Sequence, residues 1–248
     1  MRSLIFSAIF LGLFTSMNLQ AALPKSEAED LIKKGEAGAQ KCNALIDDIK
    51  KLDKKFDESI TYPNKKVALQ VLKKLEKYPG TPAATQELMD RLVSTPERNL
   101  DFKWLATAMD KTLVCDPMAH NHIMTKLLRS ARAFKFTDAE KKKMAAVLLV
   151  QMKKDTESPT HLGLMAPYLL VIDSLVDLGA IKMTSKAASR REALKTAMNQ
   201  GLETLRERDE ELKTKVNNRE FQTKNFIQEV KANETTRNKF LSFVEVLM

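Results

Sequence analysis

The sequence predicts an all-α fold, on three observations. Glycine is scarce, at 7 of 248 residues. Leu, Ala, Lys, Glu and Met, all good helix formers, dominate the chain. Alternating runs rich in Val, Ile, Thr and Tyr, which would mark strands, are missing. The expected architecture is either stacked helical hairpins, α-solenoid-like, or an irregular helical bundle, with long N- and C-terminal helices.

The chain opens MRSLIFSAIFLGLFTSMNLQAALPK. Arg2 supplies a short positive start, and Leu4 to Phe14 form a short apolar run. A spanning helix needs about 20 apolar residues, so this length suits a signal peptide over residues 1–22. Cleavage is expected after Ala21 or Ala22, and the protein is read as exported, periplasmic or secreted. The mature chain is expected to carry no transmembrane helix.

Residues 23–60 read as one long N-terminal helix. Pro24 and Ser26 stand at its start, and Glu27, Glu29 and Asp30 suit the positive end of the helix dipole. Leu45, Ile49, Leu52 and Phe56 recur at spacings of three and four, with Ile46 beside them, giving one apolar stripe. Gly35 and Gly38 weaken the front half.

Residues 61–184 form the helical-hairpin body. Helices are expected near 63–78, 82–94, 98–114, 117–134, 138–154 and 160–178. The breaks combine a capping residue with a proline, or end on glycine: Tyr78-Pro79-Gly80, Thr95-Pro96, Asp116-Pro117, Thr137-Asp138, Ser158-Pro159 and Gly179. Paired, these helices repeat every 35–45 residues or so, a spacing that suits stacked hairpins. His161 to Ala180 is apolar on most faces and is expected near the centre of the core, with Pro167 marking a kink or a later start.

Residues 185–248 hold one glycine and no proline. Leu194, Met198, Leu202 and Leu205 make a narrow stripe among alternating charges. This is expected to be one long charged helix of coiled-coil character, or a helical hairpin turning at Asn217-Asn218, and to offer a seam for a homo-oligomer. Phe240, Leu241, Phe243, Val244, Val246 and Leu247 are expected to dock on the body, or else to form an exposed partner- or membrane-facing segment.

The formal charge is +9 and is uneven. Residues 61–200 hold 23 of the 41 basic side chains and only 14 of the 32 acidic ones. A basic body favours anionic partners. In an exported protein these are an acidic protein or an anionic envelope polymer. Aromatics make up 6% of the chain and are not interleaved with lysines, which argues against a nucleic-acid surface.

Local catalytic signatures are lacking. No glycine-rich phosphate loop, G-x-S-x-G elbow or H-E-x-x-H pair occurs. Asp173 and Asp177, four apart on one helix, are the catalytic candidates as a carboxylate pair. His120, His122 and His161 are the metal candidates. A helix capped by Asp116 and begun by Pro117 turns His120 and His122 about 200° apart, so no metal or other cofactor is expected. Cys42 and Cys115 are the disulfide candidate, closing a loop of about 70 residues.

The resulting expectation is an exported, non-enzymatic helical protein that mediates protein–protein or envelope-polymer interaction through a basic surface. The alternatives are an envelope carbohydrate- or peptide-modifying enzyme, and a membrane-surface or lipid-binding protein.

Overall fold

A computed structural model describes residues 24–53, 60–80, 83–94, 117–157, 165–212 and 234–248. Every regular element among the described residues is a helix. The leader over 1–22, the helix expected over 98–114, Phe56, Cys115, Asp116, His161 and the Asn217-Asn218 turn lie outside the described residues.

Helix α1 is Lys25–Leu52. It buries Ala28, Leu31, Gly35, Ala39, Cys42, Ile46 and Ile49, a stripe running its whole length at spacings of three and four. The helix passes through Gly35 and Gly38 without a break, and Gly35 is a packing position rather than a weak point. The expected extension to residue 60 does not occur. Asp53 leaves helical geometry (φ −133°, ψ 91°), and residues 60–64 are bends and irregular chain. The reason is visible in its side chain: the Asp53 carboxylate is drawn into the interior by Lys126.

Helices α2 (Lys65–Leu75) and α3 (Ala83–Ser94) follow. Asn64 caps α2, its Oδ1 accepting from Val67 N–H at 3.0 Å. Helix α3 lies along α1, where Arg91 pairs with Glu27 at 2.5 Å. Between α2 and α3, Gly80 adopts φ +73°, and a Cβ there would stand 3.0 Å from Lys154 Cβ, so both conformation and space favour glycine.

Helix α4 is Pro117–Ala133, with proline in the first turn, where its missing N–H has no intrahelical partner to lose. It ends in a Schellman-type turn: Phe136 N–H donates to Ala131 C=O at 3.1 Å, and Lys135 carries the positive φ of 47°. Helix α5 (Asp138–Glu157) begins with a reciprocal capping box. Thr137 N–H donates to Glu140 Oε2 at 2.7 Å, and Glu140 N–H donates to Thr137 Oγ1 at 3.3 Å.

Helix α6 is Met165–Asp177. Residues 158–164 lie outside the described residues, and Pro167 stands in the first described turn, which continues as helix through it. Gly179, at φ +67°, ends it as expected, with Ala180 N–H donating to Leu175 C=O at 2.9 Å. Helix α7 is Ser185–Leu212, and residues 234–245 form α8.

The irregular bundle is the arrangement that fits. In stacked hairpins each helix packs first on its neighbour in sequence. Here α1 packs on α2 and α3, α2 packs on α4 and α5, and α6 packs on α4 and α5. One core joins Ile46 and Ile49 of α1 to Leu72 and Leu75 of α2, Met124 and Leu127 of α4, Leu148 of α5 and Ile172 of α6. No helix among the described residues is long and apolar enough to cross a membrane.

Helix α8 docks on this body. Phe240, Phe243 and Val244 are fully buried, and the Phe240 ring lies 6.2 Å from that of Tyr168. Thr236 Oγ1 donates to Ala197 C=O at 3.3 Å. In one straight helix those two residues would be about 58 Å apart, so a single helix over 185–248 is excluded. Of the α7 stripe, Leu194 is buried, Met198 is partly buried and Leu202 is exposed.

Candidate functional site

Helix α4 organises the polar chemistry of the protein. Its core-facing side carries His120, Lys126 and Ser130, all buried. Its other side carries Asn121, Thr125, Arg129 and Arg132 along a groove.

His120 is 0% exposed. Its Nδ1 lies 2.5 Å from Asp155 Oδ2, and Tyr168 O–H donates to the same oxygen at 2.5 Å. With the carboxylate ionised, the imidazole nitrogen is the donor. The ring stacks on Tyr78, with centroids 4.0 Å apart at 19°. Lys154 Nζ donates to Tyr78 C=O at 2.9 Å and holds that residue in place. Burial first, and the neighbouring Asp155 charge second, push the Tyr168 phenol well above its ordinary range.

The second cluster lies at the other end of α4. Lys126 and Asp53 form a buried ion pair, each side chain 1% exposed. The ammonium also sits 5.1 Å from the Tyr62 ring centroid, a cation–π contact. Tyr62 N–H donates to Ser130 Oγ at 2.9 Å. Burial, aided by the Asp53 charge, pushes the Tyr62 phenol up. Because Tyr62 precedes α2 and Tyr78 follows it, the two clusters pin α2 antiparallel to α4.

A histidine–carboxylate pair can serve as a general base, but only if a substrate reaches the free nitrogen. Here the imidazole is sealed beneath Tyr78. Among the described residues His120 Nε2 meets no hydrogen-bond partner. These clusters act on packing and register: each neutralises a polar group that would otherwise be stranded in the core.

The catalytic candidates are held differently from a working pair. Asp173 is engaged by Arg191 of α7, at 2.5 and 2.6 Å from its two oxygens. Asp177 is largely exposed and meets Arg132 of α4 at 3.5 Å. The two aspartates thus face different arginines on different helices. Of the metal candidates, His120 is buried with Asp155, while His122 is partly exposed on another side of α4. Among the described residues, no three His, Cys, Asp or Glu side chains gather where they could hold an ion. Cys42 is fully buried, and Cys115, the other half of the disulfide candidate, lies outside the described residues.

The open feature is the groove between α4 and α6, a cavity of about 350 Å³. Asn121, Thr125, Arg129 and Arg132 form one edge, spaced at helical repeats, and Pro167, Leu170 and Ser174 form the other. Leu170 is 69% exposed, so α6, apolar on most faces, is not buried on all of them. Arg129 has no ion pair among the described residues, and the Arg132–Asp177 contact is long and exposed.

A basic ridge runs along α2. Lys66, Gln70 and Lys73 are exposed and fall within an arc of about 60°, and exposed Lys77 follows in the turn after Leu75. Lys65 and Lys74, on the flanks of the ridge, are neutralised by Glu140 at 2.7 Å and Asp48 at 3.3 Å. Lys66, Lys73 and Lys77 have no such partner among the described residues. Comparison with protein families, with characterised proteins and with solved structures finds no match for this chain.

Proposed function

We propose that the protein is an exported, non-enzymatic helical interaction protein that engages an anionic partner, an acidic protein or an envelope polymer, through its basic face. The observation that carries this reading is the α2 ridge. Its flanking lysines are paired with carboxylates, yet its three outermost ammonium groups are left to solvent. Unneutralised charge on a rigid helix raises the local concentration of an opposite charge and speeds encounter. The leader, the exported location, the seam along α7 and a Cys42–Cys115 bridge belong to the same proposal.

The test is affinity capture with crosslinking from the native envelope fraction, using the mature chain as bait. A defined acidic protein or polymer should be enriched, and released by salt. The Lys66→Glu, Lys73→Glu, Lys77→Glu triple variant should lose it. Capture that survives the triple variant, or no enrichment at all, would sink the reading. Thiol titration of the denatured, unreduced protein tests the bridge, and two free thiols would remove it.

A further inference from the structure

We propose that the groove between α4 and α6 binds a short peptide through its free C-terminal carboxylate. The cationic end of the groove is built from Arg129 and Arg132. Guanidinium groups match a carboxylate in plane and charge, and Arg129 is uncommitted among the described residues. Asp177 holds Arg132 only at 3.5 Å, which positions the guanidinium without saturating its donors.

At the far end stands Asn121. Its amide side chain lines the groove and makes that end polar. Asn121 and Arg129 are eight residues apart on one helix, about 12 Å along its axis. That distance corresponds to three to four residues of extended chain. Between the two ends, exposed Leu170 offers an apolar surface for a side chain, and Thr125 and Ser174 supply hydroxyls that donate or accept.

The cavity volume falls in the range of small-ligand sites. A long acyl chain fits poorly, because it needs an enclosed apolar tunnel and this groove is polar at both ends. The site shares no residue with the α2 ridge, so the two proposals stand or fall separately.

The probe is an N-acetylated tripeptide, glycyl-alanyl-leucine, with a free carboxylate, titrated into the isotope-labelled mature protein by NMR. The free acid is expected to shift amide resonances of residues 121–132 and 168–174 at millimolar concentration or below. The same peptide as its C-terminal amide should bind at least tenfold more weakly. Arg129→Ala should weaken the free acid at least tenfold while leaving Tm unchanged, since Arg129 is exposed. Ser174→Leu, which fills the groove, gives a second, charge-independent block. The lysine-to-glutamate triple variant on α2 should leave peptide binding intact. Equal binding of acid and amide, no shift at millimolar peptide, or binding indifferent to both groove variants would overturn the proposal. So would inorganic phosphate binding as tightly as the peptide, because the site would then be a general anion trap.

Discussion

The two sides of α4 differ in how they treat polar groups. Toward the core, His120 and Lys126 are each matched by an aspartate and an aromatic ring: Asp155 with Tyr78, and Asp53 with Tyr62. Toward the groove, Asn121 and Arg129 are left without such partners among the described residues. The same helix therefore carries one face that specifies the fold and one that is available for binding. The lesson is that polarity alone does not mark a site. Both faces are polar, and access separates them: His120 and Lys126 are sealed in the core, whereas Arg129 and Arg132 stand open to solvent.

The largest effect expected from breaking this contrast is at Asp53. Asp53→Ala strands the buried Lys126 charge and should cost about 3–5 kcal/mol in chemical denaturation. Replacing both partners with apolar residues, as in Asp53→Leu with Lys126→Met, should recover most of that loss. Arg129→Ala and Arg132→Ala on the groove side should stay within about 0.5 kcal/mol. A core-side loss no larger than the groove-side loss would erase the distinction.

Tyr168→Phe comes next. It removes the O–H that donates to Asp155 while keeping the ring against Phe240, and should cost about 1–2 kcal/mol. Ser174→Ala, the hydroxyl-for-methyl comparison on the groove, should be close to neutral by the same measurement.

At the end of α4, Lys135 occupies a left-handed position that glycine adopts without strain. Lys135→Gly should raise stability by about 0.5 kcal/mol, seen as a small upward shift in Tm with no change in either face. A drop in Tm would show that the side chain, not the backbone, matters there.

The smallest effect is one of pH. The hydrogen bond from Lys65 first, then the Thr137 N–H, hold the Glu140 carboxyl below its ordinary 4.5. A carboxyl depressed in the folded state adds stability that is present above pH 4.5 and is lost as pH falls through its folded value. Glu140→Gln should therefore flatten the acid limb of the stability curve below that pH. An unchanged limb would mean that the capping box contributes nothing through charge.

Much of the fold was legible because helix boundaries are written locally. Pro117, Thr137 and Gly179 mark ends that the structure respects to within a few residues. The sealing of His120 was half legible. The Asp116-Pro117 start turned the two histidines apart, but its partner Asp155 sits in a lysine-rich run and comes from 35 residues away. Lys126 carried a readable signal that composition hides: it falls on the stripe of Ile123, Leu127 and Ser130, so the helical period places a lysine in the core. Asp53 was missed for the opposite reason, since a charged residue near a helix end looks like any solvated cap. The groove could not be read at all. It needs α4 and α6 side by side, and nothing in either segment encodes that pairing.

The docking of α8 has a consequence for how the chain is made. Tyr168 is covered by Phe240, so the centre of the bundle is sealed by a segment synthesised some 70 residues later. Until α8 is made, the face of Tyr168 that Phe240 covers stays open, although the rest of α6 already packs on α4 and α5. A nascent chain in that condition is open and threadable, and it is also adhesive. Any protein that escorts the unfinished chain has that face of α6 to hold.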